Sequence, residues 1–169
     1  MSREGAVMTL VSIAVALLFS LVWAWVRRTR RDRGLTAPFG EAPSQALVRA
    51  VFPGLYVATT RHAEPLERVA IKGLGFRSRA DVTVTDAGVA LDLTGQPRVF
   101  LPLDRLEAAA QATVAIDRVV EPDGLVRIDW RTDDGTVVDS YFRPQDASAR
   151  AVADAITDLL APTPTGTDA

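Results

Sequence analysis

Three basic side chains in the middle of the chain have the types and the spacing of an anion-binding site. The run Lys72-Gly-Leu-Gly-Phe-Arg77-Ser-Arg79 places two arginines two residues apart, and side chains on one strand repeat every two residues. Arg77 and Arg79 would therefore point the same way, while Lys72 would approach from the preceding loop. Guanidinium groups bind phosphate through two hydrogen bonds at once, and glycines let backbone amides approach an anion. The pattern predicts a site for an anionic lipid headgroup or another phosphate-bearing ligand.

The same three side chains have a simpler interpretation as solvated charges on an acidic domain. Asp81, Glu64 and Glu67 lie close to them in the sequence and are candidates for ion pairs with them. The two glycines of the run would then serve only a turn. The sequence leaves both interpretations open.

Catalytic residues are not indicated. His62 is the only histidine, and it lies beside Arg61 and Glu64 in a predicted loop. A histidine base needs an orienting partner and a nearby nucleophile, and no motif selects Ser78 or Ser140 for that role. We therefore expect His62 to be a surface loop residue and the protein not to be an enzyme.

Metal and cofactor sites are not indicated either. The chain has no cysteine, so neither a disulfide nor a thiolate metal site can form. Four aspartates could suggest a hard cation such as Ca²⁺, but they lack the spacing of a dedicated calcium loop. They are Asp129, Asp133, Asp134 and Asp139. A hairpin turn explains the run Asp133-Asp134-Gly135, so we expect no metal and no cofactor.

An apolar run near the N-terminus predicts where the protein lies. Residues Ala6 to Val26 are 21 consecutive uncharged residues, of which eleven are Val, Leu, Ile or Phe. A helix of that length spans about 31 Å, which matches a bilayer core of roughly 30 Å. A cleaved secretory signal has a shorter apolar stretch with positive charge in front of it, whereas here only Arg3 precedes the run and Glu4 offsets it. We expect an uncleaved, single-pass transmembrane helix.

Five arginines follow the apolar run directly and predict its orientation. They are Arg27, Arg28, Arg30, Arg31 and Arg33, with only Asp32 against them. Positive charge resists translocation, so the N-terminus should lie outside and the C-terminal domain in the cytoplasm, at the inner cell membrane. Each arginine near an anionic surface contributes about 1 kcal/mol to membrane binding, so we expect the five to lie at the lipid headgroups.

Charge is divided unevenly along the chain. Residues 1–33 contain six basic and two acidic residues, and residues 34–169 contain 13 basic and 19 acidic residues. The net charge is therefore +4 in the first part and −6 in the second. Nucleic-acid binding depends mainly on neutralising phosphates, for which an acidic domain is poorly suited. We predict no nucleic-acid partner.

The remaining chain divides into a linker, one domain and a tail. Residues 27–53 combine the basic stalk with several prolines and glycines, and predict an irregular linker after a short outer N-terminus at 1–5 and the span at 6–26. Residues 54–160 have the right length for one domain with one core. Residues 161–169 contain no core-forming side chain and are expected to be disordered.

Apolar side chains in the domain alternate with a period of two, which is typical of half-buried strands. The clearest case is Val126, Ile128 and Trp130, followed by a turn and a partner strand at 137–142. About seven such strands are joined by connections short enough to make them antiparallel. Pro144 suits the first turn of a final amphipathic helix, whose apolar face should cover one end of a bent sheet.

Seven antiparallel strands followed by one C-terminal helix is the element order of a pleckstrin-homology (PH) domain. The segments Tyr56–Thr60, Arg68–Ala80 and Arg98–Pro102 resemble small actinobacterial proteins that have one N-terminal membrane span and a PH-like cytoplasmic domain. The resemblance implies a transmembrane helix plus a mainly-β PH-like domain, in which a bent sheet or open barrel is capped by a C-terminal α-helix. The run 72–79 is similar to the Lys-Xn-Arg-X-Arg pattern with which some PH domains bind inositol phosphates. The family supplies no catalytic residue.

These observations leave three classes of function. We expect a non-catalytic, membrane-anchored PH-like module that holds an unidentified protein partner at the cytoplasmic face. The alternative is a domain that binds an anionic or inositol lipid headgroup through Lys72, Arg77 and Arg79. A second alternative is an accessory subunit of a membrane transport or export system. An enzyme or a transporter acting alone is disfavoured, because no acid–base or nucleophile set is visible and one span cannot form a solute path.

Overall fold

A computed structural model describes most of the chain. The described residues are 3–32, 34–115, 118–119 and 124–161. The chain divides into two compact units, Met1–Gly34 and Leu35–Ala169. The first unit contains a single long helix, and the second is rich in β-strands.

Helix α1 spans Arg3–Arg31 and contains the run for which the sequence predicts a transmembrane helix. Its segment Val7–Arg27, 21 residues with a mean hydropathy of 2.4, is long and apolar enough to cross a membrane. A secretory signal sequence near an N-terminus meets the same criteria of length and composition. The hydroxyls of Thr9, Ser12 and Ser20 donate to carbonyls one turn earlier, so these polar groups are satisfied within the helix.

Of the predicted membrane-surface arginines, four lie at the C-terminal end of α1: Arg27, Arg28, Arg30 and Arg31. The Arg27 guanidinium carbon lies 5.6 Å from the centroid of the Trp23 ring, which is cation–π distance. Arg33 and the side chains of Arg28 and Arg31 lie outside the described residues, as do Met1, Ser2 and residues 162–169 of the predicted disordered tail.

One antiparallel sheet of eight strands forms the second unit. The elements are β1 (Val48–Arg61), β2 (Glu64–Arg68), β3 (Ser78–Thr85), β4 (Gly88–Leu93), β5 (Val99–Pro102), β6 (Leu106–Ala112), β7 (Val114–Ala115), β8 (Arg118–Val119), β9 (Leu125–Arg131), β10 (Val137–Pro144) and α2 (Ala149–Leu160). Neighbouring strands follow the order β5-β4-β3-β1-β10-β9-β6, with β2 also paired to β1, while β7 and β8 pair separately. The predicted mainly-β, antiparallel architecture with a C-terminal helix is confirmed.

Strand β1 is shared by both halves of the sheet. Its residues Val48–Tyr56 pair with β3, and its residues Gly54–Arg61 pair with β10. A register shift within the second pairing marks a β-bulge, which bends the strand. The neighbouring chain comes so close at Gly54 that a Cβ there would overlap the Arg143 carbonyl oxygen and the Phe142 ring. A side chain at this position would therefore separate the two halves of the sheet.

The inward faces of the strands form one main core. Val126, Ile128 and Trp130 are fully buried in it, which matches the period-two pattern that the sequence predicts for β9. Helix α2 covers β6 and β9 and buries Val152 and Ile156 completely. Burying an aliphatic side chain of this size contributes roughly 1.5–3 kcal/mol, so α2 is an integral part of the domain.

The start of α2 differs from the prediction. The sequence placed Pro144 in the first turn of the helix, but Pro144 ends β10 and lies opposite Gly54 of β1. The helix begins only at Ala149, after Ser148, whose Oγ accepts the Ala151 N–H at 3.1 Å. Proline fits an extended strand end as well as a helix start, and the serine supplies the cap that the N–H groups need.

The β-rich unit also extends further toward the N-terminus than residue 54, where the sequence placed the start of the domain. Strand β1 begins at Val48, and Leu35 and Ala37 are buried in the main core. Phe39 forms a β-bridge with Val99 of β5. Prolines and glycines gave this stretch the composition of a linker, but tertiary contacts make much of it part of the domain.

Candidate anion-binding site

A pocket of about 390 Å³ lies between the loop that joins β2 to β3 and the turn that joins β4 to β5. We call it the basic pocket. Its lining includes Lys72, Gly73, Gly75, Arg77, Ser78 and Gln96. The Thr94 N–H donates to the Arg79 carbonyl at 3.0 Å, which holds the β4–β5 turn against the start of β3. Residues about twenty positions apart in the sequence thus form one concave surface.

Two of the three predicted anion ligands lie in this lining. Lys72 and Arg77 contribute to the pocket, whereas Arg79 is an exposed residue of β3 opposite Leu55 of β1. The prediction of a shared direction for the two arginines assumed that both lie on one strand. Strand β3 begins only at Ser78, so Arg77 belongs to the loop and is free of the strand's alternation.

The three basic side chains make no ion pair within the described part of the chain. Of the acidic neighbours that the sequence offered as partners, Glu67 binds the Arg61 guanidinium at 3.1 Å. Lys72 and Arg77 therefore place two uncompensated positive charges at the pocket. Such charges are available to an incoming anion without the loss of an existing contact.

The Ser78 hydroxyl is a buried polar group of the pocket. Its Oγ is inaccessible to solvent and finds no hydrogen-bond partner among the residues that the structure describes. Leaving a buried polar group unsatisfied costs about 1–3 kcal/mol, so these groups normally bind water or a ligand. Because Ser78 belongs to the lining of the pocket, its hydroxyl is a candidate donor to an anion there.

Phe76 lies between the pocket residues Gly75 and Arg77 and exposes 85% of its surface. An aromatic ring beside two cations suits the interface of a bilayer, where rings lie among apolar groups and cations lie at phosphates.

Gly73 is required by the backbone of the same loop. Its φ of +80° favours glycine, and a Cβ at this position would meet the Phe39 ring at 3.0 Å. A β-branched residue at that position would strain the loop.

His62 lies in the exposed turn between β1 and β2, where the sequence predicts a surface loop residue, but it has a buried partner. Its Nδ1 lies 2.7 Å from Asp139 Oδ1, and the Ala63 N–H donates to the other oxygen of the same carboxylate at 3.0 Å. The hydrogen bond to Asp139 raises the pKa of His62 above its ordinary value, and the negative charge of Asp139 adds to the effect. No short-range sequence signal could reveal this pair, because 77 positions separate its members.

The aspartates that the sequence grouped are divided between two places. Asp129 lies opposite Asp139 on the paired strands β9 and β10, and both are buried. Arg127 donates to both oxygens of Asp129, at 2.8 and 3.0 Å. Burial raises the pKa of Asp129, and the nearby Asp139 charge raises it further.

The other two aspartates of that group, Asp133 and Asp134, lie in the β9–β10 turn. Asp133 binds Arg105 at 2.6 Å. Asp134 accepts from the Thr132 hydroxyl, which lowers the pKa of that carboxyl. The positive φ of Gly135, +85°, is consistent with the predicted hairpin turn.

Side-chain atoms of His62, Asp129 and Asp139 lie within 4.8 Å of one another, a spacing that could hold a metal ion. Every oxygen of the two carboxylates, however, already accepts a hydrogen bond from Arg127, His62 or Ala63. The cluster is therefore complete as a charged hydrogen-bond network. In the described part of the chain, no hydroxyl binds His62 as a nucleophile would.

An antiparallel sheet closed by a C-terminal helix defines a PH-like domain. The family model described as "Bacterial PH domain-like" matches residues 36–157, and the chain belongs to this family. The matched region starts well before residue 54, in agreement with the early start of the β-rich unit.

One solved structure that resembles this chain does so at low similarity. The crystal structure of the C-terminal domain of an unknown protein from Leishmania infantum matches with a TM-score of 0.42 and 8% sequence identity, covering 68% of this chain and 85% of that one. A score this low adds nothing to the fold assignment. No curated protein sequence matches the chain at a significant level.

Proposed function

We propose that the chain is a non-catalytic, membrane-anchored PH-like module that binds phosphate-bearing lipid headgroups in the basic pocket. The observation that carries this proposal is the convergence of three groups on one cavity. Lys72 and Arg77 bring charges with no ion-pair partner in the described structure, and Ser78 brings a buried hydroxyl with no acceptor there. An interaction module of this kind agrees with the bacterial PH-like family.

The chemistry of the pocket fits a phosphate group better than a carboxylate of a protein partner. The phosphodiester of a lipid headgroup offers two charged oxygens and two ester oxygens as acceptors, and the pocket offers an ammonium, a planar guanidinium and a hydroxyl. Arg77 can take two oxygens at once, while Lys72 acts as a point charge. Hydrogen bonds to charged groups contribute about 1.5–3 kcal/mol each, so two of them suffice for selective, moderate affinity.

A lipid is favoured over a free phosphate compound by two further features. Phe76 adds an exposed aromatic ring at the pocket, where it can enter the headgroup region as the cations bind phosphates. Helix α1 supports a membrane anchor by its length and composition, and anchoring keeps the domain at a high effective concentration of headgroups. We infer the orientation with the domain in the cytoplasm from the five arginines that follow the span, as in the actinobacterial proteins that the sequence resembles.

The test is native mass spectrometry of the full chain, released from a neutral maltoside detergent in the presence of defined lipids. We expect retained phosphatidylglycerol and phosphatidylinositol and little phosphatidylcholine. The double variant Lys72→Ala/Arg77→Ala should lose the anionic lipids. Equal retention of all three lipids, or retention that ignores the double variant, would contradict the proposal.

Two controls separate the possible sources of binding. Arg79→Ala removes the same charge just outside the pocket, so it should leave lipid retention nearly unchanged. Inorganic phosphate and inositol 1,4,5-trisphosphate, added as soluble competitors, distinguish a pocket for the headgroup from general adhesion to a charged surface. Displacement of the lipid by a small molar excess of the trisphosphate, at constant ionic strength, supports binding in the pocket.

A second candidate function is the attachment of a protein partner at the membrane. It is favoured by exposed apolar side chains before and along the start of β1, where Leu47, Val48 and Val51 are 70%, 61% and 54% exposed. Cross-linking in cells from a photoreactive residue at position 51 tests it, with position 146 on the exposed turn before α2 as the control. A single cross-linked protein that is lost in Leu47→Ser supports this function, and equal labelling from both positions contradicts it.

A further inference from the structure

A chain of buried hydrogen bonds runs from the centre of the core to the loop of the basic pocket. Trp130 Nε1 donates to Ser140 Oγ at 2.9 Å, and Ser140 Oγ lies 2.7 Å from Thr59 Oγ1. Thr59 Oγ1 lies 2.8 Å from Tyr56 Oη, which donates to the Leu74 carbonyl at 2.9 Å. All five residues are at most 2% exposed.

The two ends of this chain fix the direction of every proton in it. An indole N–H can only donate, and a carbonyl oxygen can only accept. Because the Tyr56 proton is committed to Leu74, the Thr59 hydroxyl must donate to Tyr56, and the Ser140 hydroxyl must donate to Thr59. Each hydroxyl therefore donates once and accepts once, and the network has a single arrangement.

The bond to Leu74 also sets the orientation of the next peptide N–H. The Leu74–Gly75 peptide is trans, so its C=O and N–H point in opposite directions. With the carbonyl turned toward buried Tyr56, the Gly75 N–H points away from the core, and Gly75 lines the basic pocket. The described part of the chain offers this N–H no acceptor.

The loop is held in this conformation from three sides. The Leu74 side chain is fully buried in the main core, and the Leu74 N–H donates to the Ile71 carbonyl at 3.1 Å. Among the contacts of the described residues, the carbonyl bond to Tyr56 is the one that fixes which face of the peptide between Leu74 and Gly75 meets the pocket. Without it, the flexibility of Gly75 allows that peptide to rotate.

We propose that Tyr56 is a positioning residue that holds the Gly75 N–H as a backbone donor to the phosphate in the basic pocket. The inference rests on the proposed function and adds two groups to it. Gly75 binds the anion directly, and Tyr56 acts through the Leu74 carbonyl without touching the ligand. The core thereby determines the geometry of the binding loop.

The test uses full-length protein with ¹⁵N-labelled glycine in dodecyl maltoside, which contains no phosphate. Only 11 glycines give signals, and the resonance that disappears in Gly75→Ala identifies Gly75. In the wild type, inositol 1,4,5-trisphosphate should move the Gly75 amide proton downfield. In Tyr56→Phe, that shift should be absent and the affinity should fall about five-fold, which corresponds to one lost hydrogen bond.

The matched control is Ser140→Ala, which breaks the same network at its other end. It removes the acceptor of Trp130 but leaves Tyr56 bound to Leu74. For Ser140→Ala we expect a lower midpoint of thermal unfolding, with an unchanged Gly75 shift and unchanged affinity. If Tyr56 mattered only for stability, Ser140→Ala and Tyr56→Phe would affect the Gly75 shift and the affinity in the same way.

The outcomes separate this inference from the proposed function. If the wild type does not bind the trisphosphate, or if binding ignores Lys72→Ala/Arg77→Ala, both proposals are wrong. If binding depends on those two residues but the wild-type Gly75 resonance does not move, only the inference about Gly75 and Tyr56 is overturned. The same conclusion follows if Tyr56→Phe binds and shifts like the wild type.

Discussion

The segment from residue 62 to residue 78 joins two charged regions that are organised in opposite ways. At its start, His62 and Ala63 donate to the buried carboxylate of Asp139, and Arg127 neutralises the adjacent Asp129. At its end, the cations of the basic pocket have no ion-pair partner among the described residues, and the Ser78 hydroxyl has no acceptor. One region is a closed network, and the other has free hydrogen-bonding capacity.

The difference indicates what each region contributes. Breaking a buried network leaves an uncompensated charge or donor in a low dielectric, so the first region should matter mainly for stability. Exposed cations contribute little to folding when they have no partner, so the second region can be kept for binding. Substitutions in the two regions should therefore change different measured quantities.

The largest expected effect is on stability, at the closed network. Asp139→Ala leaves the Ala63 N–H and the His62 ring without their charged acceptor and should lower the free energy of unfolding by about 1.5–2 kcal/mol. Urea unfolding of the full chain in neutral detergent, followed by near-ultraviolet circular dichroism, measures it. Asp146→Ala, at an exposed site, should change the same quantity by less than about 0.5 kcal/mol. A similar loss in both variants would contradict the comparison.

Arg77→Ala should give the opposite result. We expect the unfolding free energy to stay within about 0.5 kcal/mol of the wild type. The affinity for phosphatidylglycerol should fall about ten-fold, because a charge-assisted contact to phosphate is lost. Titration of the lipid in native mass spectra gives the affinity. A large loss of stability without a loss of binding would assign Arg77 to the fold instead of the site.

A smaller effect concerns pH. Because the pKa of His62 is raised in the folded chain, its contribution is fully present below the ordinary value of 6.5 and is lost as pH rises through the raised value. The ring is 51% exposed, so solvent weakens the effect to about 0.5 kcal/mol. Unfolding free energies between about pH 5 and pH 9 should decline less in His62→Gln than in the wild type. Identical profiles would show that the pair contributes nothing.

The smallest expected effect concerns Arg79, which the sequence pattern includes in the anion site and the structure places outside the pocket. Arg79→Ala should weaken binding of anionic lipid by less than about two-fold, because salt screens a charge that does not line the pocket. The same native mass spectra measure it beside Arg77→Ala. A loss equal to that of Arg77→Ala would restore the three-residue site that the sequence predicts.

Features that repeat along the chain could be predicted from the sequence, because alternation reports burial directly. The strand at Val126–Trp130 and the turn at Gly135 are examples, and the run 72–79 marked the loop that forms the pocket. The side chains of Lys72 and Arg77 share that pocket, while the start of β3 at Ser78 separates Arg79 from it.

Features that depend on distant partners could not be predicted. His62 meets Asp139 only through the register of β1 and β10, and Tyr56 meets Leu74 only through packing. Residues 35–47 have a linker's composition, and neither the burial of Leu35 and Ala37 nor the bridge from Phe39 to Val99 of β5 is visible in that composition. In each case the sequence carries the residues but not the contact.

Residues 38–40 are hydrogen-bonded to the edge of the sheet at β5, and this affects how molecules of the protein can associate. The Phe100 N–H donates to the Pro38 carbonyl at 3.0 Å, and the Gly40 N–H donates to the Arg98 carbonyl at 3.1 Å, so this edge of the sheet is already hydrogen-bonded. An open edge is a template on which another chain can add a strand. A truncated protein that begins at residue 54 would uncover this edge and also lose the first six residues of β1. The proline-rich stretch thus protects the domain from aggregation through its own sheet.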